Sequence, residues 1–248
     1  MIAVGGAGPA ACGRRLAIGV RPCQSARPVS DDKTQSAAAD QALVIAVDGP
    51  AASGKGTIAR ALARHFRLPH MDTGLLYRAV ALNLFRFGGD PGSEFEAVRA
   101  SDLTSVSLDD PDLRIEIVGS IASRISEYPA VREKLLERQR GFAGQRGGAV
   151  LDGRDIGTII APGADVKLFV TAAVEVRARR RLAELLARGI SAHLDDIVID
   201  LKARDARDSG RDTAPLVQAA DAVLLDTSEL DIDEAIAAAI AIVEQHSR

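Results

Sequence analysis

The spacing of apolar and polar residues along the chain predicts an α/β protein. Short runs that are apolar on both faces predict buried strands of a parallel sheet. Longer stretches with apolar residues three or four positions apart predict helices. Because strands alternate with helices, the sheet is expected to be covered by helices on both faces. Strands are predicted at 42–47, 149–151, 166–170 and 222–225, and helices at 57–66, from 72 onward, and at 131–142, 174–188, 194–207 and 232–243.

Two segments depart from this pattern. Between residues 106 and 117, apolar and polar residues alternate on either side of an Asp-Asp-Pro-Asp sequence, which predicts a small hairpin. Residues 1–41 show neither period and are rich in Ala, Gly, Arg and Ser. We interpret this tail as disordered or as the product of a misassigned start site, with a transit peptide as the alternative. A chain that begins at Ala42 is expected to keep its fold and activity.

The composition excludes several classes of protein. Of 248 residues, 47% are hydrophobic and 26% charged, as in an ordinary folded domain, and no apolar run approaches the ~20 residues of a membrane helix. The net charge of −3 and the 3% of aromatic residues argue against a nucleic-acid-binding function. Both cysteines, Cys12 and Cys23, lie in the tail and the four histidines are scattered, which excludes a zinc site or a disulfide scaffold.

A glycine-rich turn between a predicted strand and a predicted helix is the main chemical signal. In that context backbone N–H groups and the helix N-terminus can surround a phosphate, and Lys55 can reach the β- and γ-phosphates of a nucleotide. A glycine turn without a ligand is the structural alternative. The chain lacks the Asn-Lys-x-Asp motif of GTPases, since Asn83 is its only asparagine. The turn consists of Gly49, Pro50, Ala51, Ala52, Ser53, Gly54, Lys55, Gly56 and Thr57.

Four further stretches resemble the bacterial-type cytidylate kinases: residues 71–78 (MDTGLLYR), 128–133 (YPAVRE), 151–158 (LDGRDIGT) and 204–211 (RDARDSGR). With the phosphate-binding loop they follow the order of that family across residues 42–245. The Gly-Lys-Gly-Thr form of the loop, with Gly56 in place of Ser or Thr, is similar to the nucleoside monophosphate kinases. That resemblance implies that Mg²⁺ is held by ATP phosphates and water, with no direct protein ligand.

The resemblance implies transfer of the γ-phosphate of ATP to CMP or dCMP, in the cytoplasm, by a monomer that binds neither nucleic acid nor membrane. It implies a P-loop core with a parallel sheet flanked by helices, made of residues 42–72, 132–176 and 212–248. A small nucleotide-binding insert at 73–131 and a helical lid at 177–211 complete the expected architecture. The insert is shorter than the family pattern before Ser123.

The resemblance also assigns roles to individual residues. A clamp on the CMP phosphate is implied for Arg78, Arg154 and Arg211, ribose contacts for Arg204 and Asp208, and cytosine contacts for Ser123, Arg132 and Asp155. Thr73 and Tyr77 are implied to lie against the same substrate. The residues expected to act directly in phosphoryl transfer are Lys55, Arg154, Arg180 and Arg211.

Several residues allow more than one interpretation. Asp152 either holds the water shell of the metal or orients Arg154. Asp48 either holds that water shell or simply ends its strand. Arg204 and Asp208 are spaced for a surface ion pair. Residues 177–211 carry nine basic and six acidic side chains, which suits a lid with Arg177, Arg180 and Arg181 on one helix face, or a salt-bridged helix pair. A kinase for UMP or a small alcohol, and an ATP-sensing module without turnover, are the rival functions.

Overall fold

The computed structural model of the chain describes residues 42–104 and 106–246. Within these residues five strands form one fully parallel sheet in the order β2-β3-β1-β4-β5. The prediction of a parallel sheet covered by helices is confirmed. The predicted tail, residues 1–41, lies outside the described residues. The strands are β1 (Leu43–Asp48), β2 (His70–Asp72), β3 (Gly148–Gly153), β4 (Val166–Thr171) and β5 (Val223–Asp226).

The helices pack in separate groups around this sheet. They are α1 (Lys55–Phe66), α2 (Thr73–Arg86), α3 (Glu94–Arg99), α4 (Glu116–Ile125), α5 (Pro129–Ala143), α6 (Val174–Ala187), α7 (Leu194–Gly210) and α8 (Ile232–His246). Helices α1 and α8 cover one face of the sheet, and α5 and a five-residue π-helix at Ile156–Ile160 contribute to a core on the other face. Helices α2, α3 and α4 share a core of their own with the start of α5, and α6 packs on α7. The division into core, insert and lid stays a prediction.

The turn between β1 and α1 requires glycine at one position in particular. Gly49 has φ +152°, and a Cβ there would lie 2.0 Å from the carbonyl oxygen of Val170 on the neighbouring strand β4. No side chain can be accommodated at that distance, so the loop leaves the sheet directly alongside β4. Gly54, at φ +88°, then takes the cap position from which α1 begins. These two glycines place the first turn of α1 beyond the carboxyl end of the sheet.

The hairpin predicted between residues 106 and 117 is wrong. The structure places a 3₁₀ helix at Pro111–Arg114, with the Asp110 carboxylate accepting from the Asp112 amide, followed by α4. The alternation that suggested strands ends at Ile117, which is half exposed, whereas Val118, Ile121 and Ile125 are buried with helical spacing. Three- and four-residue spacing therefore describes this segment better than alternation does.

Two short elements were not predicted. Strand β2 has three residues with no apolar run, and α3 has six residues with a Ser93 cap. Helix α2 follows β2 directly, with Asp72 in the cap position, and the hydroxyl of Thr73 donates to the Asp152 carbonyl oxygen at 2.9 Å. Among the described residues, none of the helices combines the length and the apolar character needed to traverse a bilayer.

Candidate active site

The loop between β1 and α1 lines a cavity of about 1410 Å³. Residues 51–57 form part of its wall, whereas Gly49 and Pro50 do not, and Gly49 lies against strand β4. Because α1 begins at Lys55, the N–H groups of its first turn and the positive end of its dipole meet the cavity. The Ser53 hydroxyl is buried and makes no hydrogen bond within the described part of the chain. This wall is suited to an anion with several oxygens.

Lys55 lies at the centre of a mixed field of charges. Burial and the neighbouring positive charge of Arg154 lower the pKa of Lys55 to about 8, although the carboxylates of Asp152 and Asp72 oppose that shift. Its ammonium group is 3.5 Å from the Pro50 carbonyl oxygen, a long contact that holds it weakly. A phosphate in the cavity would favour the charged form of Lys55 and hold it more firmly.

A smaller cavity of about 70 Å³ lies beside the first. All ten residues predicted to contact the acceptor nucleotide line it: Thr73, Tyr77, Arg78, Ser123, Arg132, Arg154, Asp155, Arg204, Asp208 and Arg211. The fold therefore brings together side chains from the four stretches quoted above and Ser123, which lies outside them. Because pockets for small molecules span roughly 300–1,000 Å³, a nucleotide must share the larger cavity or move the surrounding helices apart.

The two cavities share part of their walls. Arg78, Arg154 and Arg204 line both, together with Gly74, Ser123 and Gly153. Three guanidinium groups thus stand where a ligand in the larger cavity would meet one in the smaller cavity. This is the arrangement that transfer of an anionic group between two bound molecules requires.

Arg204 at this junction and Arg211 in the smaller cavity lack sufficient counter-charge. Burial and repulsion from Arg154 lower the pKa of Arg204 to about 10. Burial and the charge of Arg132 likewise hold the pKa of Arg211 below its ordinary value. Arg204 Nε and Arg211 Nη2 are buried and make no hydrogen bond within the described residues. Buried, unpaired donors on clustered cations favour a phosphate as their partner.

Asp208 forms its ion pair with Arg154 and not with Arg204. Its Oδ2 accepts from Arg154 Nε at 2.7 Å. Burial acts to raise the pKa of Asp208, but this hydrogen bond and the combined charges of Arg154, Arg204 and Arg211 keep the pKa below its ordinary value. The sequence allowed an i,i+4 ion pair between Arg204 and Asp208. The structure instead has a contact between α7 and the residue that follows β3. Within residues 42–104 and 106–246, Arg204 makes no ion pair with a carboxylate.

Buried polar groups form the opposite end of the smaller cavity. Arg132 makes a buried ion pair with Asp155 and donates to the Ser126 carbonyl oxygen at 3.2 Å. Its guanidinium carbon lies 5.6 Å from the centroid of the Tyr77 ring. Among the described residues, Asp155 forms its ion pair with Arg132 and not with its sequence neighbour Arg154. The Ser123 hydroxyl accepts from Arg207 of α7 at 3.4 Å.

The acidic residues at the ends of β1, β2 and β3 have distinct partners. Asp152 Oδ1 lies 2.7 Å from His70 Nε2, so its hydrogen bond goes to His70 and not to Arg154. Asp72 is aligned with Asp152 in the sheet, and burial and the Asp152 charge raise its pKa. Asp48 accepts from the amides of Ile156 and Gly157, and burial raises its pKa to about 6. Asp48 thus ends its strand and anchors the π-helix.

Sequence reasoning did not single out His70 and Asp72. Their signal was positional: they form the short strand β2, directly before the α2 segment that carries Thr73 and Arg78. Within residues 42–104 and 106–246, no group of three or more His, Cys, Asp or Glu side chains is placed to hold a metal ion by itself.

Arg177, Arg180 and Arg181 lie on one side of α6, as their spacing predicts, but Arg177 does not line the larger cavity with the other two. Arg177 is buried, donates to the Ala51 carbonyl oxygen at 3.1 Å and binds both carboxylate oxygens of Asp205. It joins α6 to α7 and to the phosphate-binding loop. Arg180 and Arg181 line the larger cavity. Arg180 donates to the hydroxyl and carbonyl oxygens of Thr227, at 2.9 and 2.7 Å.

Comparison with known proteins identifies the family of this chain. Residues 45–245 match the family described as cytidylate kinase. The chain belongs to the cytidylate kinase family. The resemblance drawn from the sequence is thereby confirmed, and with it the class of enzyme, a nucleoside monophosphate kinase. Relatives named cytidylate kinase include those of Xanthobacter autotrophicus, 55% identical over 82% of this chain and 97% of the relative, and of Caulobacter sp., 52% identical over 82% and 94%.

A solved structure shares the fold of this cytidylate kinase family member at low sequence identity. The crystal structure of an uncharacterized protein from Eubacterium ventriosum superposes with a TM-score of 0.50 at 15% identity. The match covers 82% of this chain and 98% of that one. At this level of identity the similarity supports the fold alone.

Proposed function

We propose that this chain transfers the γ-phosphate of ATP to CMP and dCMP, giving ADP and CDP or dCDP. The observation that carries the proposal is the junction of the two cavities, where Arg78, Arg154 and Arg204 line both walls. ATP occupies the larger cavity, with its phosphates against residues 51–57. The monophosphate occupies the smaller one, with its phosphate toward the junction.

Alignment and neutralisation of charge are sufficient to explain the catalysis. The acceptor phosphate is already an anion, so no residue has to act as a strong general base. The loop amides and Lys55 hold the β- and γ-phosphates, and Arg154, which lines both cavities, stabilises the charge that spreads over the transferred group. Arg211, with its unpaired buried Nη2, and Arg78 fix the acceptor phosphate in line with the bond that breaks. Arg180, held by Thr227, faces the donor.

The buried groups around Asp155 select the base. Cytosine offers an amino group at N4 and acceptors at N3 and O2. The Asp155 carboxylate accepts from N4 with help from the Ser123 hydroxyl, and Arg132 donates to N3 and O2. Tyr77 packs beside Arg132 and completes the wall. Arg204 and Asp208 contact the ribose.

Mg²⁺ is proposed as the cofactor that ATP brings with it. Burial and the charge of Asp152 raise the pKa of Asp72. The carboxylates of Asp72 and Asp152 therefore repel each other, and a nearby cation would reduce this repulsion. Asp72 and Asp152 therefore suit the hydrated face of an ion whose direct ligands are phosphate oxygens. The ion supplies neutralisation of the phosphate charge when bound.

A panel of acceptors tests the proposal. With ATP as donor, ADP formation is measured with CMP, dCMP, UMP and a small alcohol in turn. We expect turnover with CMP and dCMP and much weaker turnover with UMP. Efficient turnover with UMP or the alcohol would favour the rival kinases, and ATP binding without any product would favour a sensing module.

The pKa of Lys55 makes a prediction about pH. With a pKa of about 8, Lys55 in the free enzyme is mostly charged below that pH and loses its proton progressively above it. We therefore expect kcat/KM for ATP to fall above pH 8, by about tenfold per pH unit, with kcat falling only at higher pH because bound phosphate keeps the lysine charged. The alkaline decline should be absent in Lys55→Arg. A flat profile to pH 10 in the parent would contradict the role of Lys55.

The helices α6 and α7 are proposed to close over the substrates. The unpaired cations at 177–211 repel one another and need phosphates between them in order to converge. Exposed Arg188, Lys202 and Arg207 offer sites for trypsin. We expect a bisubstrate analogue of ATP and CMP to slow cleavage within 177–211. The same cleavage rate with and without the analogue would indicate a static, salt-bridged helix pair.

A further inference from the structure

A glycine on α4 lies directly against one of the junction arginines. Gly119 is buried and faces the guanidinium group of Arg78 on α2. A Cβ at residue 119 would lie 2.7 Å from Arg78 Nη2 and 3.1 Å from both Cζ and Nη1. These are the three atoms nearest to that Cβ position. The guanidinium group therefore occupies the space that any other side chain at 119 would need.

This contact determines where Arg78 can be. Arg78 Nη1 donates to the Leu113 carbonyl oxygen at 2.8 Å, just before α4 begins. The side chain is thus held between that carbonyl and the backbone of α4, with its remaining donors on the walls of both cavities. With Cβ present at 119, the guanidinium group must leave this position, because contacts under 3.0 Å are not tolerated.

We propose that Gly119 is a positioning residue for the acceptor phosphate, acting through Arg78. Because residue 119 has no side chain, the guanidinium group of Arg78 can lie directly against the backbone of α4 and point into the smaller cavity. The inference rests on the proposed function, since it takes the ligand of Arg78 to be the phosphate of the acceptor nucleotide. It adds a residue without any polar side chain to the determinants of acceptor binding.

The structure also provides a matched control. Gly141 lies within helix α5, and a Cβ there would meet nothing within 4 Å. In both helices alanine is favoured over glycine by its intrinsic helix propensity. The atoms that a methyl group at position 119 would displace are the far end of a flexible side chain and not backbone. Both Gly119→Ala and Gly141→Ala are therefore expected to fold, with a Tm no lower than that of the parent.

The experiment compares steady-state kinetics of these two variants with the parent, with CMP and ATP varied in turn. For Gly119→Ala we expect KM for CMP to rise by at least about tenfold, the loss expected for one charge-assisted hydrogen bond. KM for ATP and kcat should change by less than about threefold, because the interaction is made equally before and during transfer. Gly141→Ala should match the parent in every constant. An unchanged KM for CMP in a folded Gly119→Ala would overturn the proposal.

A double-mutant cycle with Arg78→Ala separates this inference from the function on which it rests. If Gly119 acts through Arg78, Gly119→Ala should have no further effect on KM for CMP in the Arg78→Ala background. An equal rise in both backgrounds would overturn the positioning role. An Arg78→Ala variant with parental KM for CMP would instead contradict the proposed role of Arg78. Should Gly119→Ala fail to fold, the double variant should fold, and its failure would count against the proposal.

Discussion

Replacing Lys55 by alanine is expected to lower kcat about 10³-fold while the fold survives, a loss of roughly 4 kcal/mol of transition-state stabilisation. The reason is the position of the ammonium group on the wall of the larger cavity, next to the amides of the first turn of α1. There it stabilises charge that moves toward the β–γ bridging oxygen as the bond breaks. Its only protein hydrogen bond, among the described residues, is the long contact to the Pro50 carbonyl oxygen. Removing it therefore disrupts little of the structure.

The measurement is kcat at saturating ATP and CMP, with circular dichroism to establish the fold. Lys134→Ala is the control, since Lys134 is exposed on α5. The control should retain the parental kcat. Activity of Lys55→Ala within about tenfold of the parent would contradict the assignment of the loop as the site of phosphoryl transfer.

Replacing Asp155 by alanine is expected to reduce the preference for CMP over UMP. In UMP, O4 would face the carboxylate and N3–H would face the guanidinium group of Arg132. Each unmatched buried polar group costs about 1–3 kcal/mol, so the parent should prefer CMP by about 10²-fold or more. Loss of the carboxylate should lower kcat/KM for CMP far more than for UMP.

The ratio of the two substrates is the informative quantity for Asp155. Its removal leaves Arg132 buried without its partner, which costs stability and affects both substrates. If Asp155 served only to neutralise Arg132, CMP and UMP would weaken by the same factor. An unchanged CMP/UMP ratio in a folded Asp155→Ala would falsify its cytosine-reading role. Asp221→Asn, which removes an ion pair to buried Lys167 outside both cavities, should leave the ratio unchanged.

The parts of the site that could be predicted from sequence are those with a local signal. The loop from Gly49 onward is indicated by its glycines between a buried run and a helical period. Nine of the ten acceptor residues lie in short stretches that resemble one family, Ser123 being outside them, and all ten line one cavity. The parallel sheet could be predicted because its strands are continuous apolar runs, whereas a half-exposed strand alternates apolar and polar residues.

Other features depend on contacts that no local pattern encodes. Many carboxylates lie within reach of a long arginine side chain, and the sequence does not show which one the fold brings close. In the structure Arg154 pairs with Asp208, 54 positions away, and Asp155 pairs with Arg132. The false hairpin arose because alternation over a few residues also fits the start of an amphipathic helix. Gly119 gave no signal either, since a glycine inside a helix becomes meaningful only when the opposing side chain is known.

Transfer of the labelled γ-phosphate from ATP to CMP tests the central claim most directly. The protein is incubated with ATP labelled at the γ-phosphate, CMP and Mg²⁺, and the products are separated and identified. The account predicts label in CDP and unlabelled ADP in equal amounts, and almost no labelled CDP with Lys55→Ala. Label released as inorganic phosphate, or ATP bound without transfer to CMP, would contradict it.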